Sequence, residues 1–238
     1  YISQALANNP NIKAYEVRYN IAEEKVNEAA WLPNTEISVG SFAREPETRT
    51  GAQRARFSAK QMLPWFGTVG TRKEYASSRA ASDYMDYIIA RRKLSLQVAQ
   101  SYYKLYSIRT RQQVLEENVQ LLQSYENLAL TSVEVGRASA VDVLRIQIRQ
   151  NEIIQQKNIL LEQFKAGQAA FNALLNTDSG TDVQLPEEMY VPESDPVTAD
   201  SLQLNPELLR YDRLYESVVQ SELLNQKERA PMLGFGLD

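Results

Sequence analysis

The longest pattern in the chain is an apolar stripe that lies between Gly70 and Gly136, a stretch with neither glycine nor proline. Its apolar residues recur at steps of three and four, with Gln112 and Glu126 as interruptions. They are Leu94, Val98, Tyr102, Leu105, Ile108, Leu115, Val119, Leu122, Ala129 and Val133. This spacing predicts one continuous helix, roughly 98 Å long at about 1.5 Å per residue. A compact domain with as many residues as the whole chain has a radius of gyration of only about 18 Å. We therefore expect the helix to project from such a domain.

A second helix is predicted after Gly136. One stripe consists of Val143, Ile146, Ile153, Leu160, Phe164, Phe171 and Leu174, and it is interrupted by Gln150 and Lys157. Another stripe, on a neighbouring face, consists of Val141, Leu144 and Ile148. Gly136 suits the residue after a helix end, while Ser139 and Asp142 suit the start of the next helix. The pattern predicts a long antiparallel helical hairpin with contacts on two sides, which is typical of a hairpin that also packs against other subunits.

Residues 34–44 and 52–63 alternate between polar and apolar positions, which predicts two β-strands around an exposed polar loop. In the first strand one face would carry Ile37, Val39 and Ala43, and the other face would carry Glu36, Ser38 and Arg44. In the second strand one face would carry Ala55, Phe57 and Ala59, and the other would carry Arg54, Arg56, Ser58 and Lys60. Each strand is long enough to cross a bilayer when tilted, but a soluble hairpin with one wet face would alternate in the same way. An isolated hairpin is marginal in water, so we expect strands from elsewhere to join it.

The charged strand residues and the two tryptophans each allow two interpretations. Arg54, Arg56 and Lys60 point into a lumen if the apolar face contacts lipid, and otherwise form an ordinary solvated face. Trp31 and Trp65 lie at helix–strand junctions, where they are either interfacial aromatics of a barrel or core anchors.

Composition argues against most enzyme classes. The chain has no His and no Cys, which removes imidazole-based nucleophile activation and thiolate or imidazole zinc sites. Its net charge of −4 gives no general attraction to nucleic acid. Adjacent carboxylates such as Glu116 and Glu117 diverge on a helix instead of facing one substrate. We therefore predict no catalytic residue, no metal site, no cofactor and no nucleic-acid partner.

Residues 166–209 contain no Lys or Arg, and acidic residues and prolines accumulate after residue 177. This composition predicts an extended acidic connector over residues 177–200. A Ca²⁺ site is the other interpretation, although the ligand spacing of a calcium loop is missing.

The chain begins again after this connector. Leu6, Asn9, Pro10, Tyr15 and Tyr19 recur 196 positions later as Leu202, Asn205, Pro206, Tyr211 and Tyr215. In both copies Asn-Pro opens an amphipathic helix, and a later proline, Pro33 or Pro231, precedes an alternating segment. The repeat predicts a duplicated unit with a truncated second copy, hence a piece of a longer protein. The predicted segments are a first helix (1–33), a β-hairpin (34–64), a helical hairpin (65–176), the connector (177–200) and the start of the second copy (201–238).

In this order the elements resemble the TolC-type outer-membrane efflux channel family. The resemblance rests on the Asn-Pro helix, QMLPWFGTVGTRKEYA, the long helix, VGRASAVDVL and the restart at Asn205. The residues that match the family's strand-to-helix junction are Gln61, Leu63, Pro64, Gly67 and Gly70. The PWFG form is most similar to the heavy-metal cation-efflux subgroup.

The resemblance implies a mainly α fold whose β-hairpin contributes to a trimeric transmembrane β-barrel, with helices forming a periplasmic tunnel. It implies an outer-membrane exit duct of a Gram-negative bacterium that passively conducts substrate, metal cations being one candidate. The implied partners are two further copies, outer-membrane lipid, an inner-membrane pump and a periplasmic adaptor. The adaptor would dock at the hairpin tip, Val135, Gly136, Arg137, Ala138 and Ser139, although Gly136 also fits a simple helix cap. The other interpretation of the chain is a soluble coiled-coil scaffold or adaptor with no transport role.

Overall fold

A computed structural model describes residues 1–44, 46–49, 51–190 and 205–237. The fold is mainly α with a small antiparallel sheet, as the sequence predicts. In chain order the elements are α1 (Ile2–Asn8), α2 (Pro10–Ala29), β1 (Glu36–Ser41), β2 (Glu47–Thr48), β3 (Gly51–Ala52), β4 (Ala55–Leu63), α3 (Thr68–Glu134), α4 (Ala140–Leu175), α5 (Pro206–Glu228) and β5 (Leu233–Leu237). They fall into two compact units, residues 1–13 with 91–195 and residues 14–90 with 196–238.

The first unit is built on the helical hairpin. Helix α3 is 67 residues long and α4 is 36 residues long, so the predicted long helix and its partner are both present. The predicted apolar stripes supply most of the buried residues of this unit: Leu94, Val98, Leu105 and Ile108 on α3, and Val143, Ile153 and Phe171 on α4. The helices approach closely at Gly167, where a β-carbon would lie only 2.9 Å from Leu105 Cδ2.

Two of the four polar interruptions of the stripes, Glu126 and Lys157, have partners across the hairpin. Lys157 forms an ion pair with Glu116, and Gln147 Nε2 donates a hydrogen bond of 2.6 Å to Glu126 Oε1. Polar groups that leave water need such partners, because an unpaired one costs free energy on burial. These two interruptions therefore belong to the hairpin interface.

The connector predicted for residues 177–200 packs, in its described part, against the first unit. Asn172 is 1% exposed, and its amide donates to the carbonyl oxygens of Ser179 (3.1 Å) and Thr181 (2.8 Å). The Tyr102 hydroxyl donates to Gln184 O at 3.2 Å, and the Gln184 N–H donates to the Tyr1 hydroxyl at 2.8 Å. Burial raises the pKa of Tyr102, with Tyr1 and Tyr103 acting in the same direction. Residues 177–187 are thus attached along the helices, and residues 191–200 lie outside the described part of the chain.

Asparagine opens the helix in both copies of the repeat. Asn9 Oδ1 accepts a hydrogen bond of 2.9 Å from the Asn11 N–H at the start of α2. Asn205 Oδ1 accepts one of 3.0 Å from the Glu207 N–H at the start of α5. The first segment of the chain contains two helices, α1 and α2, because the chain is extended at Asn9. Leu202, the first match in the second copy, lies outside the described residues.

The second unit carries an antiparallel sheet in the order β1–β4–β5. Val39 lies opposite Phe57, and Ala59 lies opposite Leu237. The strand predicted after Pro231 is therefore β5, and it joins the hairpin as the third strand. The predicted polar loop contains a further short pair of strands, β2 and β3.

Candidate functional site

The five predicted tip residues form the turn between α3 and α4. Gly136 has φ +68°, in the left-handed region that favours glycine. The Arg137 N–H donates to Ser132 O at 2.8 Å, and the Gly136 N–H donates to Val133 O at 3.0 Å. These two bonds define a Schellman motif, which satisfies carbonyl groups left free at a helix end. Gly136 is thus the residue that ends α3, which both interpretations of this turn expect.

Helix α4 starts on a reciprocal cap. Ser139 Oγ accepts a hydrogen bond of 3.2 Å from the Val141 N–H, while the Ser139 N–H donates to Asp142 Oδ2 at 3.4 Å. A cap of this kind stabilises a helix by about 1 kcal/mol. With fixed helix ends on both sides, residues 135–139 form a short turn of defined shape.

The tip presents apolar side chains to solvent. Val135 is 63% exposed, and Val141 and Leu144 are each more than half exposed. Arg137 and Ser139 are also exposed, and Ala138 is half-buried. The second α4 stripe predicted from the sequence, Val141, Leu144 and Ile148, therefore has no cover from the described residues.

The strand-to-helix junction holds its predicted residues at one end of the sheet. Gln61 Nε2 donates to Pro33 O at 2.7 Å, and Gln61 Oε1 accepts from the Thr35 hydroxyl. Gly67 has φ +83° and directly precedes α3, so its left-handed backbone turns the chain into the helix. Leu63 ends β4 and Pro64 follows it. Gly70 has open space around the position of a β-carbon, so nothing in the structure requires a glycine there.

The sheet has one polar and one apolar face, and both are exposed. Arg56 and Lys60 lie on the polar face, where Ser38 Oγ and Ser58 Oγ are 2.6 Å apart and Glu36 is opposite Lys60. Arg54 lies just before β4, and its carbonyl accepts from the Phe42 N–H at 3.1 Å. The apolar face carries Ile37, Val39, Phe57, Ala59, Phe235 and Leu237, the large ones being 60% to 82% exposed. The structure brings Arg56 and Lys60 onto one face, opposite the apolar one.

The tryptophans at the junctions are surface residues. Trp31 is 71% exposed and Trp65 is 38% exposed, with the Trp65 ring 5.7 Å from that of Phe66. Trp31 is therefore no core anchor. Phe66, which is 77% exposed, was not predicted from the sequence. Neither was Asn172, because its role depends on tertiary contacts that no local pattern reports.

The described residues offer no obvious place for a metal. Across the described ranges, no three carboxylates come together in a way that would hold a cation. None of the helices in these ranges combines the length and hydrophobicity needed to cross a membrane.

Known structures share this fold. The outer membrane protein VceC of Vibrio cholerae superposes with a TM-score of 0.76 at 14% identity, over 99% of this chain and 60% of that one. CusC superposes with a TM-score of 0.77 at 16% identity, over 99% of this chain and 57% of that one. The CmeC outer membrane channel of Campylobacter jejuni gives 0.72 at 16% identity, over 99% and 54%. The chain thus spans little more than half the length of these proteins, and a search of curated protein sequences finds no match.

The family itself follows from the sequence profile. A profile described as outer membrane efflux protein matches residues 1–177 of the 238. The chain belongs to the outer membrane efflux protein family, and its location is the outer membrane.

Proposed function

We propose that the protein is the outer-membrane exit duct of a tripartite efflux system. It assembles as a homotrimer and passively conducts a solute that an inner-membrane pump delivers through a periplasmic adaptor. The chain performs no chemistry on the solute in this proposal. The observation that carries it is the exposed apolar face of the sheet, in a chain that belongs to a family of outer-membrane efflux proteins.

The apolar sheet face supports contact with lipid. Phe57 and Val39 are opposite one another and are 68% and 69% exposed, although burying such side chains is favourable by about 1.5–3 kcal/mol each. A sheet in a bilayer places apolar residues outward and polar residues toward the lumen. In this arrangement Arg56 and Lys60 line the lumen.

The sheet edges and α4 support self-association. In the described part of the chain β1 and β5 each pair on one side only, and such edges must be satisfied within a membrane. Val141, Leu144 and Ile148 form an uncovered stripe on α4. Further copies of the chain would extend the sheet and cover the stripe.

The tip supports adaptor docking. Residues 135–139 form a short turn in which Val135 is exposed, and the short turn allows a partner's helices to approach closely. In this proposal, packing of the adaptor against the tips moves them apart and opens the duct.

For the cargo we infer metal cations from the PWFG junction alone, since the described residues hold no metal cluster. Arg56 and Lys60 do not attract cations, which agrees with a duct whose pump selects the solute. A strain lacking the protein is expected to become sensitive to a heavy-metal salt. If metal tolerance were unchanged and sensitivity to organic toxins increased, the cargo would be organic solutes and not metal cations.

The first test is the detergent-solubilised mass of the complete gene product. A trimer in the outer-membrane fraction is expected. A monomer or dimer in the soluble fraction would contradict the duct and favour the scaffold interpretation, which leaves the exposed sheet face without a role.

The docking role is tested at Gly136. Gly136→Trp is expected to abolish export while the trimer still assembles, because the bulky ring stands where the adaptor approaches. Gly136→Ala is the matched control: it carries the same left-handed backbone cost, about 1 kcal/mol or slightly more, but adds little bulk, so export should persist. Normal export by Gly136→Trp would remove the docking proposal.

A further inference from the structure

Five exposed apolar side chains gather at one end of the sheet, where the chain passes between strand and helix three times. We call them the junction belt: Trp31, Leu32, Trp65, Phe66 and Met232. The strand pairing brings them together, since Leu63 lies opposite Leu233 and Gln61 is hydrogen-bonded to Pro33 O at 2.7 Å. Each belt residue lies within three positions of one of these four residues.

Four of the five belt side chains are more than half exposed. Trp31 is 71% exposed, Phe66 77%, Leu32 57% and Met232 51%. It is continuous with the exposed apolar sheet face, because Leu63 and Leu233 are the end residues of β4 and β5. Tryptophan and other aromatic rings at such a boundary are typical of the membrane–water interface, where one part of the ring is in hydrocarbon and its polar part is in water.

Two cations lie close to the belt, Lys227 in space and Arg229 in the sequence. Lys227 lies in the last turn of α5, with its ammonium beside Gly67, the residue after Phe66. Arg229 follows α5 and stands three residues before Met232, and both side chains are exposed. Glu228, the carboxylate between them, is already paired with Arg72 at 3.1 Å. Over residues 205–237 and the other described ranges, no carboxylate forms an ion pair with Lys227 or Arg229.

Aromatic girdles at the headgroup level are general in membrane β-barrels, and the junction belt fits one. We propose that Lys227 and Arg229 bind the phosphates of anionic lipids beside this belt. The inference rests on the proposed function, since it assumes that the sheet face contacts the acyl chains. The belt then sets the depth of the sheet in the bilayer, and the cations select the lipid class at that depth. Basic side chains near an anionic membrane surface contribute on the order of 1 kcal/mol each.

The 238 residues contain two tryptophans, and both are belt residues, so they report depth directly once every other tryptophan of the tested protein is changed to Phe. The protein is reconstituted in vesicles whose lipids carry bromine, a fluorescence quencher, either near the glycerol backbone or near the end of the acyl chain. Tryptophan emission should be quenched more by the shallow bromines. A reporter for the sheet face is Val39→Trp in a Trp31→Phe, Trp65→Phe background, and it should be quenched more by the deep bromines.

The two proposals can fail separately in this experiment. Quenching of the Val39→Trp reporter without quenching of Trp31 and Trp65 would overturn the belt and leave the duct intact. Quenching of neither would overturn both. Belt tryptophans quenched mostly by deep bromines would place the belt in hydrocarbon and overturn the headgroup assignment.

Lipid selectivity is tested in mixed vesicles of phosphatidylglycerol and phosphatidylcholine, with bromine on only one lipid at a time. The wild-type belt is expected to prefer phosphatidylglycerol by a factor of roughly five for each cation at low salt. Lys227→Gln with Arg229→Gln should abolish the preference. Lys104→Gln with Arg109→Gln, an equal charge change at exposed positions of α3, should keep it. Equal quenching by both lipids in the wild type, or an unchanged preference in the Lys227→Gln, Arg229→Gln variant, would overturn the role of these cations.

Discussion

The helical hairpin and the three-stranded sheet place their hydrophobic side chains in opposite environments. In the hairpin unit Leu105 and Phe171 are completely buried, whereas in the sheet Val39 and Phe57 are more than two-thirds exposed. Both regions follow the expected periodicity, so their sequence patterns alone do not distinguish them. The difference is that the hairpin pairs two apolar stripes from one chain, while none of the described residues covers the apolar face of the sheet. A complete pattern with an exposed apolar face indicates that the missing nonpolar environment comes from outside the chain.

The largest expected effect is a charge on the apolar sheet face. Phe57→Arg should lower the free energy of unfolding in lipid vesicles by about 2–4 kcal/mol if the residue lies near the bilayer midplane. For a sheet in water, an exposed substitution would change it by no more than about 0.5 kcal/mol. Denaturant titration of the reconstituted protein measures the difference.

Ser58→Arg is the matched control for this prediction. It places the same charge one residue away on the polar face, where Ser58 loses only an exposed contact with Ser38. Its effect should stay below about 1 kcal/mol. Equal destabilisation by the two variants would show that the two faces are in the same environment.

The hairpin should respond to volume instead of charge. Gly167→Ala brings a β-carbon to 2.9 Å from Leu105 Cδ2, and Leu105 is fully buried and has little room to move. Overpacking costs about 1–3 kcal/mol, and replacing a helical glycine recovers about 1 kcal/mol. We expect a net loss of about 1 kcal/mol in the free energy of unfolding.

Gly70→Ala measures the gain in helix propensity without the overpacking expected at Gly167. Gly70 is also helical, in the first turn of α3, but open space surrounds its β-carbon position. The same substitution there should be neutral or stabilise by up to about 1 kcal/mol. If Gly167→Ala stabilised the protein as Gly70→Ala does, the close approach of α3 and α4 would be wrong.

Much of the fold could be predicted because its signals are local. The absence of glycine and proline between residues 70 and 136 located α3 within two residues at each end. Gly136 and Ser139 are cap residues because the first has a left-handed backbone and the second accepts a hydrogen bond at the start of α4. Glycine and serine are the residue types that favour these two roles, so the sequence alone predicts them. The alternation around Phe57 likewise identified a strand and its two faces.

The remaining features depend on contacts between distant parts of the chain. Composition described residues 177–200 as a connector, but only the structure shows that Asn172 and Tyr102 hold residues 177–187 against the helices. Phe66 and Met232 become neighbours of the tryptophans only through strand pairing. Similarly, Lys157 interrupted an apolar stripe in the sequence, and its partner Glu116 lies 41 positions away.

The smallest expected effect concerns this last pair. The Lys157 and Glu116 side chains are 42% and 45% exposed, so water screens their attraction and the pair should be worth at most about 1 kcal/mol. Lys157→Met continues the apolar stripe and should change the free energy of unfolding by less than about 1 kcal/mol. A double-mutant cycle with Glu116→Gln measures the coupling, expected to be below about 0.5 kcal/mol. Coupling of several kcal/mol would mean that the pair is buried, as it would be if a second copy covered this part of the hairpin. In that case the hairpin, like the sheet, would depend on surfaces outside its own chain.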